Sequence, residues 1–95
     1  MTWTRAHDAW IAEKCEGWSD TPLCGWPHYS TDPAACIRAA EAWAAKDPKR
    51  RKWWIKRDGN IHATVDQGWM SDGAVMDTAA AALAQALYRA TGGPA

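Results

Sequence analysis

Eight tryptophans and no phenylalanine in a chain of 95 residues constrain the fold more than any other feature. An ordinary domain of this length carries about one tryptophan, and a core built only for stability draws on phenylalanine as well. Indole is large, is seldom buried completely, and holds one N–H that needs an acceptor. Trp3, Trp10, Trp18, Trp26, Trp43, Trp53, Trp54 and Trp69 must therefore be divided between core mass and presented surface. Their spacing predicts the division.

Thr2 or Thr4 can cap a first helix that runs to about Cys15 and stops at Gly17, where glycine accepts the left-handed conformation. Its apolar stripe is Trp3, Ala6, Trp10, Ile11 and Cys15, with Arg5, Asp8, Glu13 and Glu16 facing outward. Residues 18–32, WSDTPLCGWPHYSTD, read as a long loop, of a length that is uncommon in a compact domain and more often functional than average. Asp32 followed by Pro33 opens a second helix with the stripe Cys36, Ile37, Ala40, Trp43 and Ala44, and Pro48 ends it.

The segment RKWWIKRDGNIHATVD carries the clearest hairpin signal. A three-residue loop Arg57-Asp58-Gly59 pairs residue 56 with 60, 55 with 61 and 53 with 63. Trp53, Ile55, Ile61, Ala63 and Val65 then share one face, and Lys52, Trp54, Lys56, Asn60, His62 and Thr64 the other. Gly68 to Gly73 make a turn, and Ala74-Val75-Met76 a short third strand. Asp77 or Thr78 caps a last helix over Ala79 to Ala90, with Ala80, Leu83, Ala84 and Leu87 on one side and Gly92-Gly93 ending it.

These elements make one α+β domain over residues 1–95: a short antiparallel sheet, hairpin plus third strand, packed by three helices. Lys plus Arg equals Asp plus Glu at 11 each, so no global field recruits nucleic acid or membrane. The charge is uneven along the chain. Seven of the basic residues lie between Lys46 and Arg57, whereas the first 45 residues hold three basic and six acidic ones. No apolar run approaches the roughly 20 residues that cross a bilayer. The start MTWTRAHDAW has no basic-then-apolar export signal. Three cysteines without such a signal read as reduced thiols in a cytosol.

The order helix, loop, helix, hairpin, strand, helix joins several short motifs. They are His7-Asp8-Ala9-Trp10-Ile11-Ala12-Glu13-Lys14 with Gly17-Trp18, then Tyr29-Ser30-Thr31-Asp32 leading into Ala34-Ala35, and the Asp77-Thr78 start of the final helix. Together they resemble the phage ABA sandwich domain, a small α/β/α family found in bacteriophages and prophages. The resemblance spans most of the chain and implies an α/β/α sandwich in a viral setting, with no established chemistry. The Lys49-Arg50-Arg51-Lys52 run and the Trp26-Pro27-His28 insert fall outside its pattern.

Two places gather aromatic and basic groups without an evident structural duty. The loop offers Trp26, His28 and Tyr29, residues that give contact area at low entropy cost; the alternative is a loop pinned to the core, the duty expected of Trp18. The hairpin offers Trp54, Lys56, Arg57 and His62, and the basic run Lys46 to Arg57 with its interleaved indoles is suited to gripping a phosphate-bearing ligand. Its alternatives are lysines that keep an edge strand from pairing, and a Trp54 covered by the first helix. Metal is not expected: Cys15, Cys24, His28 and Cys36 are separated by eight, three and seven residues, without a close ligand pair. No cofactor is expected either. Nor is catalysis, because His7-Asp8 diverge on a helix and no nucleophile motif, phosphate loop or paired carboxylates accompany His62.

The reading is a non-enzymatic binding protein. The viral setting that the resemblance implies places it in the cytoplasm of an infected bacterium, as an inhibitor of host defence. It would act there by direct contact with a defence protein or nuclease complex, as anti-CRISPR proteins do. One alternative is a sponge for a nucleotide immune signal, held in a pocket lined by Trp and Lys. A small nucleotide hydrolase is another, and self-association is compatible with each.

Overall fold

Each helix begins where a side chain can satisfy its free N–H groups. The computed structural model describes residues 2–18 and 25–93, so Cys24 and the first part of the long loop lie outside the described residues. Helix α1 is Arg5–Glu16, α2 Pro33–Ala45 and α3 Ala79–Ala90; strands β1 Lys52–Asp58, β2 Asn60–Asp66 and β3 Ser71–Met76 lie between α2 and α3. Thr4 caps α1, and its N–H donates to His7 Nδ1 at 2.9 Å, with histidine in the place that Glu or Gln usually takes. Gly17 ends α1 with φ 75°, the left-handed value that favours glycine. The Asp32 carboxylate accepts from the N–H groups of Ala34 and Ala35 at the start of α2. Thr78 Oγ1 does the same for Ala81 in α3, at 3.2 Å.

The sheet is antiparallel with order β1-β2-β3. Its register differs from the expected one by two residues: Lys56 pairs with His62, Ile55 with Ala63 and Trp53 with Val65. Pairing continues to Asp58↔Asn60 around Gly59, at φ 78°, so the turn sits one residue later than Arg57-Asp58-Gly59. Side chains alternate with a period of two, so a two-residue slip leaves every side chain on its expected face. Strand β3 is longer than expected. It starts at Ser71, and the turn expected over Gly68 to Gly73 closes at residues 67–70, where Gln67 N–H donates to Met70 O at 2.8 Å.

The three helices lie on one side of this sheet. Helix α3 covers β2 and β3, α2 lies beside it along β1, and α1 packs over α2 and α3, away from the strands. Helices α2 and α3 run in the same direction, since the Cys36 Sγ meets Ala80 O near their starts while Trp43 and Ala90 line one cleft at their ends. Being the middle layer, α3 is buried from Ala82 through Tyr88, and its alanines let the neighbours approach. The result is a small mixed α+β sandwich of three helices and a three-stranded sheet. Ile11, Cys15, Tyr29, Cys36, Trp43, Val65, Leu83 and Leu87 form its centre. Trp10 and Trp53 pack against that centre while half-buried.

Four assignments on the helices change. Glu16 was expected to face outward, but its side chain is 8% exposed and accepts from Tyr29 and Arg38. Asp8 was expected to face outward but is 2% exposed, because it continues the buried stripe of Ile11, Ala12 and Cys15 one turn earlier. Ala6 is exposed instead. Ile37 is also exposed, since the buried arc of α2 is Ala35, Cys36, Ala39, Ala40 and Trp43, and Ile37 lies past its edge.

Candidate functional site

The face of the sheet turned away from the helices is bare among the described residues. Alternation brings Lys52, Trp54 and Lys56 of β1, His62 and Thr64 of β2, and Ser71, Gly73 and Val75 of β3 to this face. Register arranges them in rows: Trp54 beside Thr64 beside Gly73, then Lys56 beside His62 beside Val75. Gly73 contributes no side chain, so the row led by Trp54 falls away toward β3 and leaves the indole standing proud of its neighbours. Trp54 is 45% exposed and Val75 50%, which places Trp54 in the open and not beneath α1. Trp69, 75% exposed, and Met70, 45% exposed, lie in the β2–β3 turn. Lys52 and Lys56 are exposed and take part in no ion pair among the described residues. The one acidic side chain here with a described position, Asp66, is engaged in the turn, accepting from Gly68 N–H at 2.8 Å. An exposed indole between two lysines on β1, with His62 and Thr64 on the central strand and Val75 on the far one, makes a mixed apolar and basic surface suited to contact with an acidic partner.

The other residues expected in the site lie elsewhere. Arg57 has the opposite parity to Lys56 and lies by the hairpin tip, in a cleft of about 540 Å³ with Ser30, Thr31, Ile61, Asp77 and Thr78. Trp26 is half-buried against the core, and its carbonyl accepts from Arg5 Nη2. His28 is exposed, with Nδ1 at 3.1 Å from Arg5 Nη1. Tyr29 is fully buried, which removes it from any surface. Trp54, Lys56 and His62 are thus brought together; Trp26 and His28 gather at Arg5, and Arg57 joins neither group.

Tyr29 belongs to a polar hub that closes the loop onto α1. The buried Asp8 carboxylate accepts from Trp3 Nε1 at 2.8 Å, Arg5 Nη1 at 2.7 Å and the Tyr29 backbone N–H at 3.1 Å. The Tyr29 hydroxyl donates to Glu16, which also accepts from Arg38 Nε at 2.6 Å. Burial, then the bond to Glu16, pushes the Tyr29 phenol well above its ordinary range. His7 and Asp8 face different partners: His7 stacks on Trp3 at 5.0 Å and meets Tyr88 at 4.7 Å, while Asp8 serves the hub.

Among the described residues no group of three or more His, Cys, Asp or Glu is placed to hold a metal ion. Cys15 and Cys36 are buried free thiols, and burial pushes Cys15 up to about 12 and Cys36 further. Both behave as small core hydrophobes. No helix among the described residues is long and apolar enough to cross a membrane.

Among the clefts that sequence reasoning did not foresee is one of about 300 Å³ lined by Lys14, Trp43, Lys46, Arg51, Gln67, Ala90 and Thr91. Its signal in the chain is faint: Lys14 lies in the last turn of α1, Lys46 just after α2, and Arg51 just before β1. No family model matches the chain, and no curated protein and no solved structure matches it either.

Proposed function

We propose that this chain is a binding protein that engages a macromolecular partner through the open face of its sheet. The observation that supports this most is Trp54 standing half-exposed between Lys52 and Lys56 on a helix-free face, with His62 beside Lys56 and an exposed Val75 on the far strand. Folding alone does not favour a tryptophan there, because exposed indole gains none of the burial energy that a core indole gains. The lysine rim selects for a partner with acidic groups around an apolar patch, and steers its approach. In the setting that the phage resemblance implies, the partner is a host defence protein or its nuclease complex, obstructed by direct contact in the host cytoplasm.

A phage challenge of bacteria that carry an active defence system tests this reading. Expression of the chain restores plaque formation, and Trp54→Ala or Lys56→Glu abolishes the rescue while the protein keeps its melting temperature. Rescue that survives both substitutions removes the sheet face from the account. The sponge alternative makes a different forecast: protein recovered from infected cells releases an unaltered nucleotide on denaturation. The hydrolase alternative requires conversion of that nucleotide by catalytic amounts of the chain.

A further inference from the structure

The cleft that the sequence did not reveal has its own electrostatics. It lies where the last turns of α1, α2 and α3 come together, on the opposite side of the helical layer's end from the hairpin tip. Among the described residues its lining holds three cations, Lys14, Lys46 and Arg51, and no carboxylate. Two of the cations are positioned by the main chain, and Lys14 Nζ lies 5.1 Å from the Trp10 ring centre. Lys46 Nζ donates to Lys14 O at 3.0 Å, and Arg51 Nη1 to Trp43 O at 3.0 Å with its guanidinium 4.9 Å from the Trp43 ring centre. Gln67 Nε2 donates to Ala90 O at 2.8 Å and Thr91 Oγ1 to Leu87 O at 2.8 Å, so side chains from β2's end and α3's end complete the wall.

A helix end attracts cations on its own account, so that contribution is weighed first. Three C-terminal ends present together about −1.5 elementary charge, −0.5 each, against three full positive charges. The balance stays positive even when Glu13, 3.7 Å from Lys14 in an exposed pair, is counted. The carbonyls themselves are already served by the bonds just named, and each of the two inner cations spends one donor on them. An ammonium has three donors and a guanidinium five, which leaves two on Lys46 and four on Arg51. Trp43 is 2% exposed and covered by Arg51, so no flat ring of a ligand can stack on it. Recognition here is of a compact, multiply charged anion by clustered donors.

We propose that this cleft binds the phosphate group of a small phosphorylated molecule or free phosphate, with Lys46 and Arg51 as the main contacts and Lys14 at the rim. The site is separate from the open sheet face, and neither depends on the other.

Calorimetric titration of the full chain at low ionic strength, with inorganic phosphate and with adenosine 5′-monophosphate as probes, tests it. Binding of one equivalent is expected, weakening as salt is added. Lys46→Glu weakens it at least about tenfold, the scale of one lost charge-assisted hydrogen bond, and Lys46→Arg restores it. Lys14→Glu, at an exposed position, gives a smaller loss and covers the case in which Lys46→Glu disturbs the fold. Trp54→Ala leaves the affinity unchanged. Tighter binding of the nucleotide assigns the cleft to phosphate esters, and equal binding assigns it to free phosphate. No binding of either probe, or binding that Lys46→Glu and Lys14→Glu leave intact, overturns the proposal.

Discussion

The two faces of one hairpin are built from alternating residues of the same strands, yet they do opposite work. On the inner face Trp53, Ile55, Ile61, Ala63 and Val65 meet α3 and α2, and Ala63 and Val65 are completely buried. On the outer face Trp54, Lys56, His62 and Val75 stay exposed among the described residues. Trp53 and Trp54 are adjacent in the chain and differ only in parity. The lesson is that a tryptophan's role here is set by its side of the sheet, not by its residue type, and that the chain presents some indoles while it spends others on the core.

The comparison is tested first where burial is deepest. Trp43→Ala empties a site 2% exposed at the centre of the helical layer and should cost about 3–5 kcal/mol, read as a lowered denaturation midpoint. A midpoint close to that of the parent would mean that the helical layer is not the core. Asp8→Ala comes next. It leaves the Trp3 indole N–H and the Tyr29 backbone N–H without their acceptor, a loss of about 2–4 kcal/mol. Retention of full stability in that variant would show that the loop is anchored otherwise.

A smaller effect sharpens the interior side of the comparison by pH. The Cys15 thiol rises from 9.0 to about 12 through burial, so the folded chain holds a proton that the unfolded chain releases. Stability is therefore complete below about pH 9 and falls as pH climbs toward 12, by at most about 1.4 kcal/mol per pH unit for each protected thiol. Cys15→Ala should flatten part of that slope in urea melts between pH 9 and 10.5. An unchanged slope would assign the alkaline loss to other groups.

Much of the fold was legible because the residues that signal it act locally. Thr4, Asp32 and Thr78 cap helices by contacts with N–H groups two or three residues away, and Gly17 ends α1 by its own backbone angle. Hairpin parity was legible for the same reason, whereas the register was not: alternation is blind to a shift of two, and only the turn at Gly59 decides it. Asp8 could have been placed correctly, as its spacing of three, four and seven residues from Ile11, Ala12 and Cys15 puts it on the buried stripe. Charge argued for the surface and was overruled by three donors that converge from Trp3, Arg5 and Tyr29. In the candidate site, Trp54, Lys56 and His62 were legible as a group because one strand pair carries them. Tyr29 and Arg57 were not, since no periodicity governs a loop or a hairpin tip. The cationic cleft was hidden for a simpler reason: Lys14, Lys46 and Arg51 meet only when the end of α1 packs beside the end of α2 and the connection to β1.

The smallest expected change in stability, and the largest in binding, belongs to Trp54. The most direct test of the division between the two hairpin faces is a paired measurement on Trp53→Ala and Trp54→Ala, each read by melting temperature and by capture of the partner from bacterial extract. Trp53→Ala should lower the melting temperature clearly. Trp54→Ala should stay within about 0.5 kcal/mol of the parent, as exposed positions do, while losing the captured protein. A Trp54→Ala chain that melts early, or one that captures as well as the parent, would contradict the account.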